Sequence, residues 1–155
     1  MAYRAVHQKG SPQRVEGLAS NGSIYPGHLV EMTSAAADTY QLRATQGGYG
    51  EKAVAVEDDL QGNDIATAYT ANNRIQVNIY KSGEECIVRL QGATSITKGD
   101  KVMAGASGVV LKYVEDSSTV IDENHPIGIA LESLDLSDSS SSELNTDSKF
   151  RMRWL

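Results

Sequence analysis

Arg74-Ile75-Gln76-Val77-Asn78-Ile79-Tyr80 is the stretch that decides the fold class, because apolar and polar residues alternate along most of its length. Successive side chains of a β-strand point to opposite faces, so this pattern predicts a strand with one apolar and one polar face. The turn residues Ser82-Gly83 follow, and residues 85–90 form a second apolar segment. Together the two segments predict a β-hairpin.

Short segments of similar character recur along the chain, separated by residues that favour turns. Phe150, Met152 and Trp154 alternate with two arginines, which predicts a terminal strand with one face in the core. Together these segments predict an all-β fold: a compact, β-tulip-like β-barrel or β-sandwich with at most one or two short helical turns. Further strands are predicted at 28–31, 40–44, 52–56, 101–104, 109–114 and 127–131, and a helical turn at 64–69.

Residues 1–22 differ from the rest of the chain because no sustained periodicity runs through them. We predict that they form an extended N-terminal arm and that residues 23–155 form a single β-rich domain. Such an arm is either disordered or becomes ordered by adding a strand to a partner, and the sequence leaves both alternatives open. The serine-rich segment 137–148 predicts a mobile loop within the domain.

Composition and charge argue against several classes of protein. The chain has 155 residues, which suits one domain, and a net charge of −6. Lysines and arginines form no dense stripe, which argues against a nucleic-acid partner. No apolar segment approaches the ~20 residues that span a membrane, and the N-terminus lacks a signal-peptide core, so synthesis in a cytoplasm is expected. Cys86 is the single cysteine, which excludes an intrachain disulfide.

No group of residues has the spacing of a catalytic or metal site. Glu57-Asp58-Asp59 is acidic but lacks the calcium-loop pattern, so a solvated turn or a surface that contacts a partner is the better interpretation. His7, His28 and His125 are scattered along the chain, and no serine has a nucleophile-elbow setting. We therefore expect neither an enzyme nor a bound cofactor or metal.

A carrier domain of the lipoyl or biotinyl type is one alternative, because Lys101 directly follows the turn Lys98-Gly99-Asp100. Those domains present the modified lysine at a hairpin tip, usually within Asp-Lys-Ala or Met-Lys-Met. The sequence here is Asp100-Lys101-Val102, which matches neither tripeptide. The sequence therefore argues against a carrier function.

Several sequence blocks, in their order and spacing, resemble the head decoration (cement) proteins of tailed bacteriophages. The resemblance covers residues 21–155 and includes the ending, where a polar Ser/Asp-rich segment precedes Arg151-Met152-Arg153. The other blocks are Gly22-Ser23-Ile24-Tyr25-Pro26-Gly27-His28-Leu29-Val30, Ala55-Val56-Glu57-Asp58-Asp59-Leu60-Gln61-Gly62, Arg74-Ile75-Gln76-Val77 and Gly128-Ile129-Ala130-Leu131-Glu132.

This resemblance implies a structural virion protein that binds the outer surface of the expanded capsid and cements neighbouring major capsid protein subunits against internal DNA pressure. The implied partner is the phage major capsid protein, and the implied assembly is a homo-oligomer, with a trimer favoured over a dimer. The arm and the start of the body would contact the lattice. The implied contact residues are Tyr3, Arg4, Val6, His7, Lys9, Arg14, Ile24, Tyr25, Pro26 and His28.

A second alternative is a binding module on the virion surface that recognises a glycan or a host surface. Such a module needs a concave surface with exposed aromatic rings. The chain offers Trp154 and scattered tyrosines, so this hypothesis ranks below a structural role.

Overall fold

The structure, a computed structural model, describes residues 5–115, 124–137 and 148–155. The described residues form β-strands in three sheets and one short 3-10 turn, Ala106–Gly108. The strands are β1 His7–Lys9, β2 Gln13–Ala19, β3 Val30–Met32, β4 Thr39–Leu42, β5 Ala53–Ala55, β6 Arg74–Ile79, β7 Glu85–Arg89, β8 Ser95–Ile96, β9 Lys101–Ala104, β10 Val110–Lys112, β11 Pro126–Ala130, β12 Leu134–Asp135 and β13 Lys149–Trp154.

The larger sheet has six strands in the order β1-β7-β13-β11-β9-β10, and all its neighbours are antiparallel. The C-terminal strand β13 lies inside this sheet, between β7 and β11. Phe150, Met152 and Trp154 are buried there, as the alternation of that segment predicts. A small two-stranded sheet pairs β12 with β8.

The second sheet has five strands in the order β3-β4-β2-β6-β5. Its longest strand, β2, pairs antiparallel with β6 from Gln13 opposite Ile79 to Leu18 opposite Arg74. On its other side β2 runs parallel to β4, whereas the other strand pairs described in this sheet are antiparallel. Among the described residues neither large sheet closes into a barrel, so the all-β prediction is confirmed in an open, layered form.

Strand β5 shows how the two sheets share the core. Val54 belongs to the hydrophobic cluster of the six-stranded sheet, together with Leu29 and Val56. Its neighbours Ala53 and Ala55 belong to the cluster of the five-stranded sheet. Because successive side chains alternate in direction, one face of the five-stranded sheet packs toward the six-stranded sheet and the other covers a second core.

The prediction of an N-terminal arm over residues 1–22 is wrong for the residues that the structure describes. Residues 7–9 form the edge strand β1, and residues 13–19 form β2 inside the five-stranded sheet. Val6 and Ala19 are fully buried. The N-terminal residues from 5 onward are therefore part of the folded domain, and residues 1–4 lie outside the description.

Other sequence predictions are also corrected. The segments 74–80 and 85–90 are both strands, but β6 and β7 lie in different sheets, so they form no hairpin. Residues 64–69 form a turn in which Asp64 Oδ1 accepts the N–H of Ala66 at 2.9 Å, with no helix. The strand predicted at 109–114 is shorter, Val110–Lys112, and Val110 is its buried residue. Most of the predicted loop 137–148 lies outside the described residues, and Ser148 is buried.

Gly17 in β2 provides a direct test of the five-stranded sheet. A Cβ at this position would collide with the carbonyl oxygen of Asp38 and lie 2.7 Å from Cδ2 of the buried Tyr40 ring. That carbonyl already accepts the Leu18 N–H at 2.8 Å, so the backbone is held in place. We expect Gly17→Ala to lower the free energy of unfolding by about 2 kcal/mol, measured by urea denaturation.

Gly22→Ala is the matched control for this variant. A Cβ at Gly22 meets no atom nearer than 3.7 Å, so its effect should stay within ~0.5 kcal/mol. Equal stabilities for the two alanine variants would contradict the packing of β4 against β2.

Candidate functional site

The residues predicted to contact a partner do not lie on one surface. Val6 and Ile24 have no exposed area, and they belong to different core clusters. Pro26 is also buried. These three predictions are corrected, because a buried side chain stabilises the fold and is not available to a partner. Tyr3 and Arg4 lie outside the described residues.

The remaining N-terminal candidates are divided between the two sheets. His7 in β1 stacks on the ring of Tyr80, with the ring centroids 5.9 Å apart. Lys9 is exposed at the end of the same edge strand. Arg14 is exposed on β2, and its Nε donates to Oδ1 of Asn78 at 3.2 Å. In the described part of the chain, Lys9 and Arg14 are the exposed members of the predicted set.

The segment Tyr25-Pro26-Gly27-His28 packs around Arg89, a residue that sequence analysis did not single out. Arg89 is 2% exposed; its Nε donates to the carbonyl of Pro26 at 2.9 Å and its Nη2 to the carbonyl of Ile65 at 2.8 Å. Its guanidinium carbon lies 5.1 Å from the centroid of the Tyr25 ring, a cation–π arrangement. Burial lowers the pKa of Arg89 to about 10, so the side chain is charged at neutral pH.

A cavity of about 250 Å³ lies beside this group, lined by Tyr25, His28, Arg89 and Ser107 among others. Nδ1 of His28 accepts the backbone N–H of Tyr25 at 3.1 Å. Burial, followed by the charge of Arg89, lowers the pKa of His28 to about 3. A histidine that stays neutral and holds a turn acts here as a structural residue.

The low pKa of His28 makes stability depend on pH. The unfolded chain binds a proton on this histidine below its ordinary pKa of 6.5, whereas the folded chain does so only near 3. The contribution of neutral His28 to the free energy of unfolding is therefore fully present above pH 6.5. It is lost as the pH drops toward 3, by about 2 kcal/mol between pH 7 and pH 5. The measurement is urea denaturation at a series of pH values.

His28→Asn is the control, because its side-chain oxygen also accepts a hydrogen bond but does not titrate. The pH slope of its stability between 5 and 7 should be flatter than that of the original chain. The carboxyl groups with lowered pKa values, such as those of Asp58 and Asp100, act below this range and do not obscure it. Identical slopes would contradict a buried neutral His28.

The acidic segment Glu57-Asp58-Asp59 lies on one wall of an open groove of about 530 Å³. We call this the polar groove: Arg14, Glu16 and Gln76 from β2 and β6 form one part of its lining, and residues 57–60 form the rest. Oε1 of Glu16 accepts from Nε2 of Gln76 at 2.5 Å. Arg74 lies 3.8 Å from Glu16 and 3.2 Å from Asp58, measured between charged atoms.

The three adjacent acids have different surroundings. Asp58 is 4% exposed and accepts hydrogen bonds from the Leu60 N–H at 3.1 Å and from Nε2 of Gln61 at 2.7 Å. Burial alone would raise the pKa of Asp58, but the bonds from Gln61 and Arg74 outweigh it and hold the pKa below its ordinary value. Glu57 accepts the Val6 N–H at 3.0 Å, and Asp59 is exposed. The acids therefore diverge and form no acid–base pair.

The other candidates for chemistry also lie apart. In the described part of the chain no three His, Cys, Asp or Glu residues are arranged to hold a metal ion. His125 stacks on Tyr49 with the ring centroids 3.6 Å apart, far along the chain from His7 and His28. Cys86 is fully buried, accepts a hydrogen bond from Nε1 of Trp154 at 3.2 Å, and has a pKa raised by burial.

Lys101 is the first residue of β9, where its backbone pairs with Ile129, so it does not occupy the tip of a hairpin. A search of the described residues for a helix long and apolar enough to cross a membrane finds none.

Comparison with known proteins finds similarity in fold. No protein-family model and no curated protein sequence matches the chain. Among solved structures, the crystal structure of the head fiber gp8.5 N base in bacteriophage phi29 superposes with a TM-score of 0.57 at 12% sequence identity. The superposition covers 94% of this chain and 95% of that one. At this identity the match shows that the two chains share a fold over nearly their whole lengths.

Proposed function

We propose that this chain is a structural protein of a bacteriophage head, which binds the outer surface of the capsid and links neighbouring major capsid protein subunits. The observation that carries the proposal is the shared fold with a phage head fiber base over 94% of the chain. The sequence blocks that resemble head decoration proteins support it independently. A homotrimer is the proposed assembly, with a dimer as the alternative.

Binding to an assembled lattice would stabilise the head by simple linkage. A protein that binds assembled subunits more tightly than free subunits shifts the equilibrium toward the assembled state by that difference in affinity. An oligomer that contacts several subunits at once raises the effective concentration for each later contact. Each single interface can then be small, on the order of 1,000 Å².

The contact surface proposed here is part of the folded domain. Residues 5–22 contribute β1 and β2 to the sheets, so they do not supply a flexible strap across a subunit boundary. Exposed groups on these strands, including Lys9 and Arg14, remain candidates for lattice contacts.

Co-sedimentation with purified capsids tests the proposal. The full-length chain should bind saturably to expanded capsids and fail to bind unexpanded ones, because the binding site would be completed only on expansion. A variant that lacks residues 1–4 keeps every described strand and shows whether the extreme N-terminus takes part. Absence of binding to both capsid forms by a folded chain would overturn the proposal.

One observation favours the glycan-binding alternative. Tyr49 is 83% exposed, and its ring is held in place by the stacked ring of His125. A rigid exposed aromatic face suits stacking against a sugar ring. A glycan array with the original chain and Tyr49→Ala separates this role from capsid binding: binding that depends on Tyr49 would support a receptor-type module.

A further inference from the structure

We propose that the polar groove binds a basic side chain, lysine or arginine, presented by the protein partner of this chain. The inference rests on the proposed function, since the partner would be the major capsid protein. It goes further by assigning a surface and the chemistry that the surface recognises.

The first observation is the charge of the groove. Carboxylates of Glu16, residues 57–58 and Asp59 surround it, and they outnumber the arginines nearby by two. Arg74 is engaged with Asp58, whereas Arg14 donates to Asn78 through Nε alone and keeps an exposed side chain. Glu16, with 56% of its side chain exposed, and the exposed Asp59 keep acceptor capacity toward the open side.

The second observation is a hydrogen-bond acceptor in the groove lining that has no donor. Gln76 is 6% exposed, and its Oε1 atom is enclosed without a hydrogen-bond partner. The orientation of the amide is determined because Nε2 must face the carboxylate of Glu16. Buried acceptors are rarely left unpaired in native proteins. An ammonium or guanidinium group, which carries several donors and no acceptor, would reach this atom once the side chains that enclose it move on binding.

The third observation identifies the occupant as a side chain. Leu60 belongs to the groove lining and is 86% exposed, so an apolar surface lies beside the acids. Lysine and arginine have aliphatic stems that pack on such a surface while their charged ends reach carboxylates. An inorganic cation would gain nothing from Leu60, and the described residues include no metal-ligand group.

A double variant of Asp59 and Leu60 tests the assignment without disturbing the fold, because both side chains are exposed. The groove variant combines Asp59→Lys with Leu60→Ser. The matched control combines Glu51→Lys with Met32→Ser, which makes the same charge change and removes a similar exposed apolar group outside the groove. We expect the groove variant to bind expanded capsids at least 10-fold more weakly and the control to bind within 2-fold of the original chain.

A second measurement separates failure of this inference from failure of the proposed function. In ¹H–¹⁵N spectra, a hexa-arginine peptide should shift the resonances of residues 16, 57–60 and 76 saturably, and a hexa-glutamate peptide should not. The groove variant should lose these shifts. Shifts centred elsewhere, or measurable capsid binding that is equal for the groove variant and the original chain, would overturn the inference. If the groove binds the peptide but the original chain does not bind capsids, the proposed function fails and the recognition of a basic side chain stands.

Discussion

Deletion of residues 1–22 should leave a chain that does not fold. The deletion removes β2, which lies between β4 and β6 and pairs with β6 along six residues. It also removes the edge strand β1 and the buried side chains of Val6 and Ala19. The core cluster of the five-stranded sheet would then be open to water on one side. The loss should exceed the whole folding free energy of a domain, about 5–15 kcal/mol.

The measurement is circular dichroism together with the dispersion of amide resonances in a ¹H–¹⁵N spectrum. Deletion of residues 1–4 is the control, since it leaves all described strands intact and should keep the spectrum of the full chain. A folded 23–155 fragment with native resonances would contradict the placement of β2 and restore the arm interpretation.

The sequence pattern did not predict strand β2, and the reason is physical. The positions of β2 that face the core of the five-stranded sheet hold Val15, Gly17 and Ala19, and two of these have almost no apolar side chain. A larger residue does not fit at Gly17, because the Tyr40 ring would lie 2.7 Å from its Cβ. A pattern that counts bulky apolar residues at every second position therefore misses this strand.

Strands with bulky inward residues were predictable, but their partners were not. The alternation in β6 and β13 identifies both strands correctly. The short connection between β6 and β7 suggests a hairpin, yet β6 pairs with β2 and β7 pairs with β13, each more than 50 positions away along the chain. Pairing at such separations depends on how two sheets divide the core, and local turn residues do not encode that division.

The candidate surfaces, like the strand pairs, depend on contacts between residues that are distant along the chain. The sequence identifies the acidic segment 57–59 as a contact surface or a turn. It does not identify the unpaired acceptor of Gln76, because the surroundings of that atom form only when β6 pairs with β2. In the sequence, Arg89 is a charged residue at the end of a largely apolar strand. Its acceptors at Pro26 and Ile65 lie 63 and 24 positions away along the chain. Long-range packing, and not local pattern, decides the role of such residues.

Arg89→Met should strongly destabilise the fold. Methionine fills a similar volume but donates no hydrogen bond, so the buried carbonyls of Pro26 and Ile65 lose the donors that satisfy them. An unsatisfied buried acceptor costs about 1–3 kcal/mol, so two should lower the free energy of unfolding by about 3 kcal/mol. For a chain of this size the melting temperature should fall by about 6–12 °C.

Two further variants show whether the loss comes from the hydrogen bonds. Arg89→Lys keeps a positive charge but lacks the planar fork that reaches both carbonyls, so it should recover only part of the stability. Arg151→Met on the neighbouring strand β13 removes a side chain that is 42% exposed and pairs with Glu132 at 3.9 Å, and it should change stability by about 0–1 kcal/mol. If Arg89→Met and Arg151→Met melted at the same temperature, the carbonyls of Pro26 and Ile65 would have other donors. Arg89 would then not be the group that joins the 25–28 segment to β7.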